Sequence, residues 1–202
     1  ESIRNDCVLF GIGVCSGGIE ASAEQVDLSS AVIVRAVSGE PGAKTVSLLR
    51  DEIEKRSGVR LTVTRTLPES AATSAIIVAT VDNLPAGAPQ PPAGFEVPEG
   101  AEGYSIWVDP ASGTVKNVWC VGRDARGALS AAGRLVRVAH YEKGKVSLPA
   151  DFRLATAPRY AIRGHQLGYR NTANSYDAWD IATYEQYIRD LILFGTNGIE
   201  LI

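Results

Sequence analysis

Tyr160–Gly168 (YAIRGHQLG), Asp180–Phe194 (DIATYEQYIRDLILF) and Gly198–Ile202 (GIELI) read, in that order, as strand, helix and strand. A polar and aromatic loop, Asn171 to Trp179, joins the first two. Apolar residues recur through the second stretch at the spacing of an amphipathic helix. Asp180 is placed as its N-cap, Trp179 and Tyr184 stand at the N′ and N4 staple positions, and Gly195 ends it. A strand–helix–strand run is a parallel crossover, and parallel sheets are normally buried on both faces. One such unit cannot cover its own apolar surface, so the chain is expected to be the front portion of a larger protein.

Working outward, 202 residues suit one large domain or one domain plus a fragment. With 45% hydrophobic and 21% charged residues the composition is that of a soluble globular protein. A net charge of -3, without any Lys/Arg run, excludes a nucleic-acid footprint. No apolar stretch approaches the roughly 20 residues of a membrane span. The chain begins at Glu1 and holds no methionine, so its native start is expected upstream, and the lack of a leader says nothing about secretion. Three cysteines, Cys7, Cys15 and Cys120, and two histidines, His140 and His165, match no metal-ligand spacing, so no metal is expected. Cys7 and Cys15 could close a short hairpin as a disulfide in an oxidising compartment; three buried thiols fit equally well.

The regular part starts after residue 30; residues 1–30 give no clear element. Ala31–Val37 is a β-branched strand. Lys44–Arg56 carries Val46, Leu49 and Ile53 on one helical stripe, closed by Gly58 as a left-handed cap. Val59–Thr66 alternates as a half-buried strand, and Ala75–Val81 is a continuous apolar, central strand. Asn83–Gly103 is too rich in proline and glycine for a regular element and reads as a surface excursion. Tyr104–Val108 and Thr114–Val121 form a hairpin. Arg123–Tyr141 is a second helix, N-capped by Asp124, with His140 near its end, where a cation suits the helix dipole. Val146–Ala161 reads as an extended linker. The order strand, helix, strand, strand, strand, strand, helix predicts an α+β fold: a mostly antiparallel sheet with two helices on one face. Residues 1–155 form this domain and 156–202 begin the next.

Three stretches resemble a known group. Glu102-Gly103-Tyr104-Ser105-Ile106 is similar to an "EGY" strand. Gly122-Arg123-Asp124-Ala125-Arg126-Gly127, with Gly133, is similar to a glycine-bearing helix start. Pro158-Arg159-Tyr160-Ala161-Ile162-Arg163-Gly164 is similar to a "PR(F/Y)xxRG" lead into a first barrel strand. In this order they resemble the accessory α/β domain that precedes the catalytic barrel of glycoside hydrolases, as in the family 20 β-N-acetylhexosaminidases and the α-glucuronidases. The pattern departs at Gly168, where family 20 carries an Asp. It departs again after Asn197, where family 20 carries histidines. The resemblance implies a hexosaminidase domain-2-like unit followed by the first β-α-β unit of a (β/α)8 barrel. It implies a non-catalytic part of a carbohydrate-active enzyme, with catalytic carboxylates beyond Ile202 and no cofactor. Expected partners are an oligosaccharide or glycan and the remainder of the parent chain, without nucleic acid or membrane, in a secreted or periplasmic location.

In a barrel enzyme the active site lies on the βα loops at the C-terminal ends of the strands. The first such loop would be Tyr169–Asp180. Aromatic faces pack on sugar rings while amides and carboxylates bond hydroxyls, so Tyr169, Asn171, Tyr176 and Asp177 are candidate sugar-binding residues. The resemblance adds Arg163, at the arginine of "RG", against the alternative of a guanidinium satisfied by a carboxylate within the barrel mouth. His165 shares Arg163's face of the strand; it either bonds a hydroxyl or is a buried histidine satisfied by the backbone. Glu200 has no catalytic assignment, and glycoside hydrolysis would need a carboxyl pair that is absent here. The competing reading is a stand-alone glycan- or protein-binding α/β module without catalysis.

Overall fold

The computed structural model describes residues 24–69, 72–109, 115–167 and 179–201. After a short strand β1 (Gln25–Asp27) come β2 (Val32–Arg35), helix α1 (Gly39–Ser57), β3 (Thr62–Thr64), β4 (Ala75–Thr80), β5 (Tyr104–Val108) and β6 (Val118–Gly122). Helix α2 (Ala125–Val138) and strands β7 (His140–Glu142), β8 (Lys145–Pro149) and β9 (Arg153–Thr156) follow. Strand β10 (Gly164–Leu167), helix α3 (Ile181–Leu193) and strand β11 (Gly198–Leu201) complete the described chain. From β2 to α2 the order of elements is the expected one.

The main sheet has six strands in the order β3-β2-β4-β6-β5-β9. Its direction corrects the sequence reading. β2 runs parallel to β3 and β4, and β4 parallel to β6; antiparallel pairing is confined to β5 with β6 and with β9. The sheet is mixed rather than mostly antiparallel, because α1 carries the chain back across the sheet before β3 begins. β4 is buried at all six positions, as a strand covered on both faces must be.

Both α1 and α2 lie on one face, as expected. Leu49 and Ile53 of α1 and Ala131 and Leu135 of α2 meet Ile33 and Ile76 of the sheet in one core. Burying an aliphatic side chain of this size stabilises the fold by about 1.5–3 kcal/mol. Gly58, with φ 76°, caps α1 and donates its N–H to the Glu54 carbonyl.

The opposite face carries a second core. Trp107 and Trp119, partners across the β5–β6 ladder, stack with ring centroids 6.0 Å apart beside Val34 and Ile77. The proline-rich stretch expected to be a surface excursion covers this face instead: Ala88 and Val97 pack on it, and the Ser105 hydroxyl donates to the Phe95 carbonyl at 2.6 Å. The indole N–H groups of both tryptophans have no hydrogen-bond partner among the described residues.

The expected linker after Val146 is strand-bearing. β8 joins β1 and β7 in a separate antiparallel sheet, and β9 extends the main one. α2 ends at Val138, so His140 begins β7 and is exposed rather than sitting in a last helical turn.

Candidate functional site

β10 and β11 pair in parallel, Gly164 opposite Gly198 through Leu167 opposite Leu201, with α3 as the crossover between them. Side chains alternate across a strand. His165 and Ile199 turn toward α3, where the Tyr187 hydroxyl lies 2.7 Å from His165 Nε2. Gln166 and Glu200 therefore stand on the face away from α3. Both are exposed, and the Gln166 amide donates to Glu200 Oε2 at 3.0 Å.

Arg163 immediately precedes β10, at the end of the strand opposite the 168–178 segment. All three of its side-chain nitrogens are engaged. Nε donates to the Gly195 carbonyl at 2.7 Å, Nη1 to the Tyr160 carbonyl at 2.8 Å, and Nη2 to the carboxylate of Glu102. Its backbone N–H donates to Asn197 Oδ1 at 2.9 Å, and the Asn197 N–H returns a bond to the Arg163 carbonyl at 3.0 Å. A carboxylate satisfies this arginine, but it is that of Glu102, ahead of β5, and not one from a barrel mouth.

Glu102 is the centre of this junction. It is 7% exposed and holds φ 60°, in the left-handed region. Its carboxylate also accepts from Asn197 Nδ2 at 3.1 Å and Arg126 Nη1 at 3.3 Å, and its backbone N–H donates to Asp124 Oδ2 at 2.9 Å. Burial opposes the charged form. It is outweighed by the hydrogen bonds of Arg163 and Asn197, the charge of Arg163 and the bond from Arg126, which together hold the carboxyl below its usual range. Asp124 meanwhile caps α2, accepting from the Gly127 N–H at 2.8 Å. One carboxylate thus ties the lead into β5, the start of α2 and both ends of the β10–β11 lead-ins. A cavity of about 340 Å³ opens beside it along the seam of α2 and α3, lined by Leu129, Ile188, Ile192 and Ile199.

At the other end of β10 an aromatic group marks the start of α3. Asp180 caps the helix, accepting from the Thr183 N–H at 2.8 Å; the Thr183 side-chain and backbone bonds hold its carboxyl below the usual range. Trp179 meets Tyr184 edge to face at 5.4 Å, the expected staple, and Tyr187 at 5.0 Å. His165 completes the row, so it is satisfied by a tyrosine hydroxyl rather than by backbone. Tyr169, Asn171, Tyr176 and Asp177 lie outside the described residues, as do Cys7 and Cys15. Cys120 is a buried free thiol, and burial pushes it up to about 12. Among the described residues no group of three or more His, Cys, Asp or Glu could hold a metal ion.

Sequence reasoning missed Glu102 and the Gln166–Glu200 pair. The period of two that placed His165 beside Arg163 also sets Gln166 on the other face, and that signal was available. The arrangement can bind: a carboxylate and an amide side by side present acceptors and a donor to hydroxyl groups. One carboxylate is not the pair that glycoside hydrolysis requires.

Neither a family model nor a curated protein matches the chain. Solved structures do match its fold. The N-acetyl-β-hexosaminidase of Streptomyces plicatus superposes with a TM-score of 0.57 at 18% identity, over 89% of this chain and 31% of that protein. A family GH115 4-O-methyl-α-glucuronidase with specificity for decorated arabinogalactans gives 0.60 at 15%, over 88% and 25%. The GH20 exo-β-N-acetylglucosaminidase of Vibrio harveyi gives 0.60 at 12%, over 89% and 23%. The chain therefore shares the fold of part of GH20 and GH115 glycoside hydrolases. It spans less than a third of the length of each.

Proposed function

We propose that residues 160–201 open the (β/α)8 barrel of a carbohydrate-active glycoside hydrolase and that the preceding α/β unit is its non-catalytic accessory domain. The observation that carries this reading is the two-faced β10–β11 pair. α3 covers one face, while the other is open and polar at Gln166 and Glu200, although parallel strands are normally covered on both sides. In a barrel that open face is the interior, and its C-terminal end is the sugar-facing mouth. Tyr169, Asn171, Tyr176 and Asp177 then lie on the first loop of that mouth, with Gln166 and Glu200 below them. Arg163 and Glu102 act at the opposite end, as the tether between accessory domain and barrel. His165 sits under α3, held by the Tyr187 hydroxyl, instead of touching sugar. A secreted or periplasmic location goes with a glycan-degrading parent.

The test compares the natural full-length protein with residues 1–202 on aryl β-N-acetylhexosaminides and aryl α-glucuronides. Turnover is expected from the former alone; hydrolysis by residues 1–202 overturns the assignment. In the full-length enzyme Glu200→Gln and Asp177→Ala should raise KM about tenfold or more, the loss of a hydrogen bond of about 1.4 kcal/mol to a sugar hydroxyl.

A further inference from the structure

The C-terminal ends of β2 and β3 hold two arginines that no acid among the described residues neutralises. The β2–β3 ladder ends with Val34 opposite Thr64, and Arg35 and Arg65 follow directly, Arg35 as the last residue of β2 and Arg65 just after β3. Arg35 shares the face of Ile33, which packs in the core beneath α1. Both arginines border space that Ala43 of α1 also lines. Like charges placed opposite one another destabilise a sheet. Neither guanidinium makes a hydrogen bond or ion pair among the described residues.

Two acids of α1, one of them Glu40 on the wall of a cavity it shares with Arg35 and Arg65, are already engaged. Glu40 pairs with Lys44 at 3.0 Å, and Asp51 with Arg50 at 3.1 Å and Arg189 at 3.7 Å. Two adjoining cavities, of about 400 and 530 Å³, open here; Arg35, Ala43 and Arg65 line both, Arg50 lines the first and Ser38 the second. β2 has β3 on one side and β4 on the other. In open parallel sheets ligands bind outside the carboxyl ends of the strands.

The geometry points to an oxyanion-binding cleft on the accessory domain, in which the paired guanidinium groups of Arg35 and Arg65 hold a carboxylate or a phosphate group of a ligand. Planar guanidinium groups bind such oxygens in pairs. The site is separate from the proposed barrel mouth, and its failure would leave that reading standing. The two sources of such a group are an acidic saccharide and a phosphate compound.

Residues 1–202, ¹⁵N-labelled and at low ionic strength, are titrated with inorganic phosphate, with a hexuronate trisaccharide, and with potassium chloride matched in ionic strength. Saturable shifts at the amides of Ala36, Ser38 and Arg65 are expected with phosphate or uronate and not with chloride; the stronger of the two ligands identifies the source. Arg35→Gln and Arg65→Gln should each weaken binding at least fivefold, and Arg35→Lys, which keeps the charge but not the paired geometry, should weaken it less. Arg153→Gln, on the far edge of the sheet, should leave it unchanged. Responses no larger than those to chloride, or equal in Arg65→Gln, overturn the proposal. Arg65 is exposed, so its replacement leaves the fold intact, and the melting temperature of Arg65→Gln should equal or exceed that of the parent once the repulsion is removed.

Discussion

Glu102 holds a left-handed backbone conformation that costs a non-glycine residue about 1–2 kcal/mol, and its side chain draws donors from Arg163, Asn197 and Arg126. Glu102→Gln keeps the shape and removes the charge. At pH 7 it should lower unfolding stability in urea by about 1–3 kcal/mol, since Arg163 loses its carboxylate. The sign of the pH dependence follows from the depressed carboxyl. Its folded value lies below the ordinary 4.5, so its contribution is complete above that pH and is lost as the pH falls through the folded value. The gap between parent and variant should therefore close on acidification below about pH 4.5; Asp27 and Asp180, whose carboxyls are also depressed, are common to both proteins and cancel. A gap that does not narrow at all as the pH falls below about 4.5 would show that the charge is not what matters. Cys120 gives a second residue-scale outcome. With its thiol pushed up to about 12 and no exposure, it should not react with a disulfide reagent at pH 8 in a Cys7→Ser, Cys15→Ser background until urea unfolds the chain. Local residue roles were legible in the sequence where they depend on neighbours: Asp180 as cap, Trp179 on Tyr184, Gly58 at φ 76°. Glu102 was not, because its partners stand 61 and 95 positions away, and no local pattern announces so distant a convergence.

At the scale of elements, α3 rests on α2 through a glycine. A Cβ on Gly133 would come within 3.1 Å of the Leu193 Cα and carbonyl oxygen, and Leu193 belongs to the main core. Gly133→Ala should push the helices apart and destabilise the fold by about 1–3 kcal/mol. Hydrogen exchange should speed up across Ile181–Leu193 while β4 stays protected; uniform change in both would mean that the helices do not separate as a unit. Helices and strands of the α/β unit were readable because periodicity and breakers are local. Strand direction was not: β4's apolar run is compatible with either neighbour orientation, and only the path of α1 over the sheet settles it. β8 and β9 escaped notice because they span only 5 and 4 residues, too few for a clear period.

At the scale of the molecule, the large exposed apolar side chains are unevenly placed. Among the described residues Tyr160, Ile162, Ile181 and Phe194, at 66 to 83% exposure, all lie in the segment of β10 and α3, and the others are Val63 and Leu84. That segment should carry the sticky surface of the chain. Ile162→Ser with Ile181→Ser is expected to reduce binding of a hydrophobic dye and raise solubility, with less than about 0.5 kcal/mol change in stability, because neither side chain is buried. Dye binding unchanged by the pair would place the sticky surface elsewhere. The division between a well-covered α/β unit and a half-covered strand–helix–strand unit also has an optical consequence. Trp107 and Trp119 lie in the dry second core at 2% exposure, whereas Trp179 is half-buried at the start of α3. Their emission will separate into a short-wavelength component shielded from acrylamide and a long-wavelength component open to it. A single fluorescence scan can therefore follow the loosening of each unit independently, without any added label.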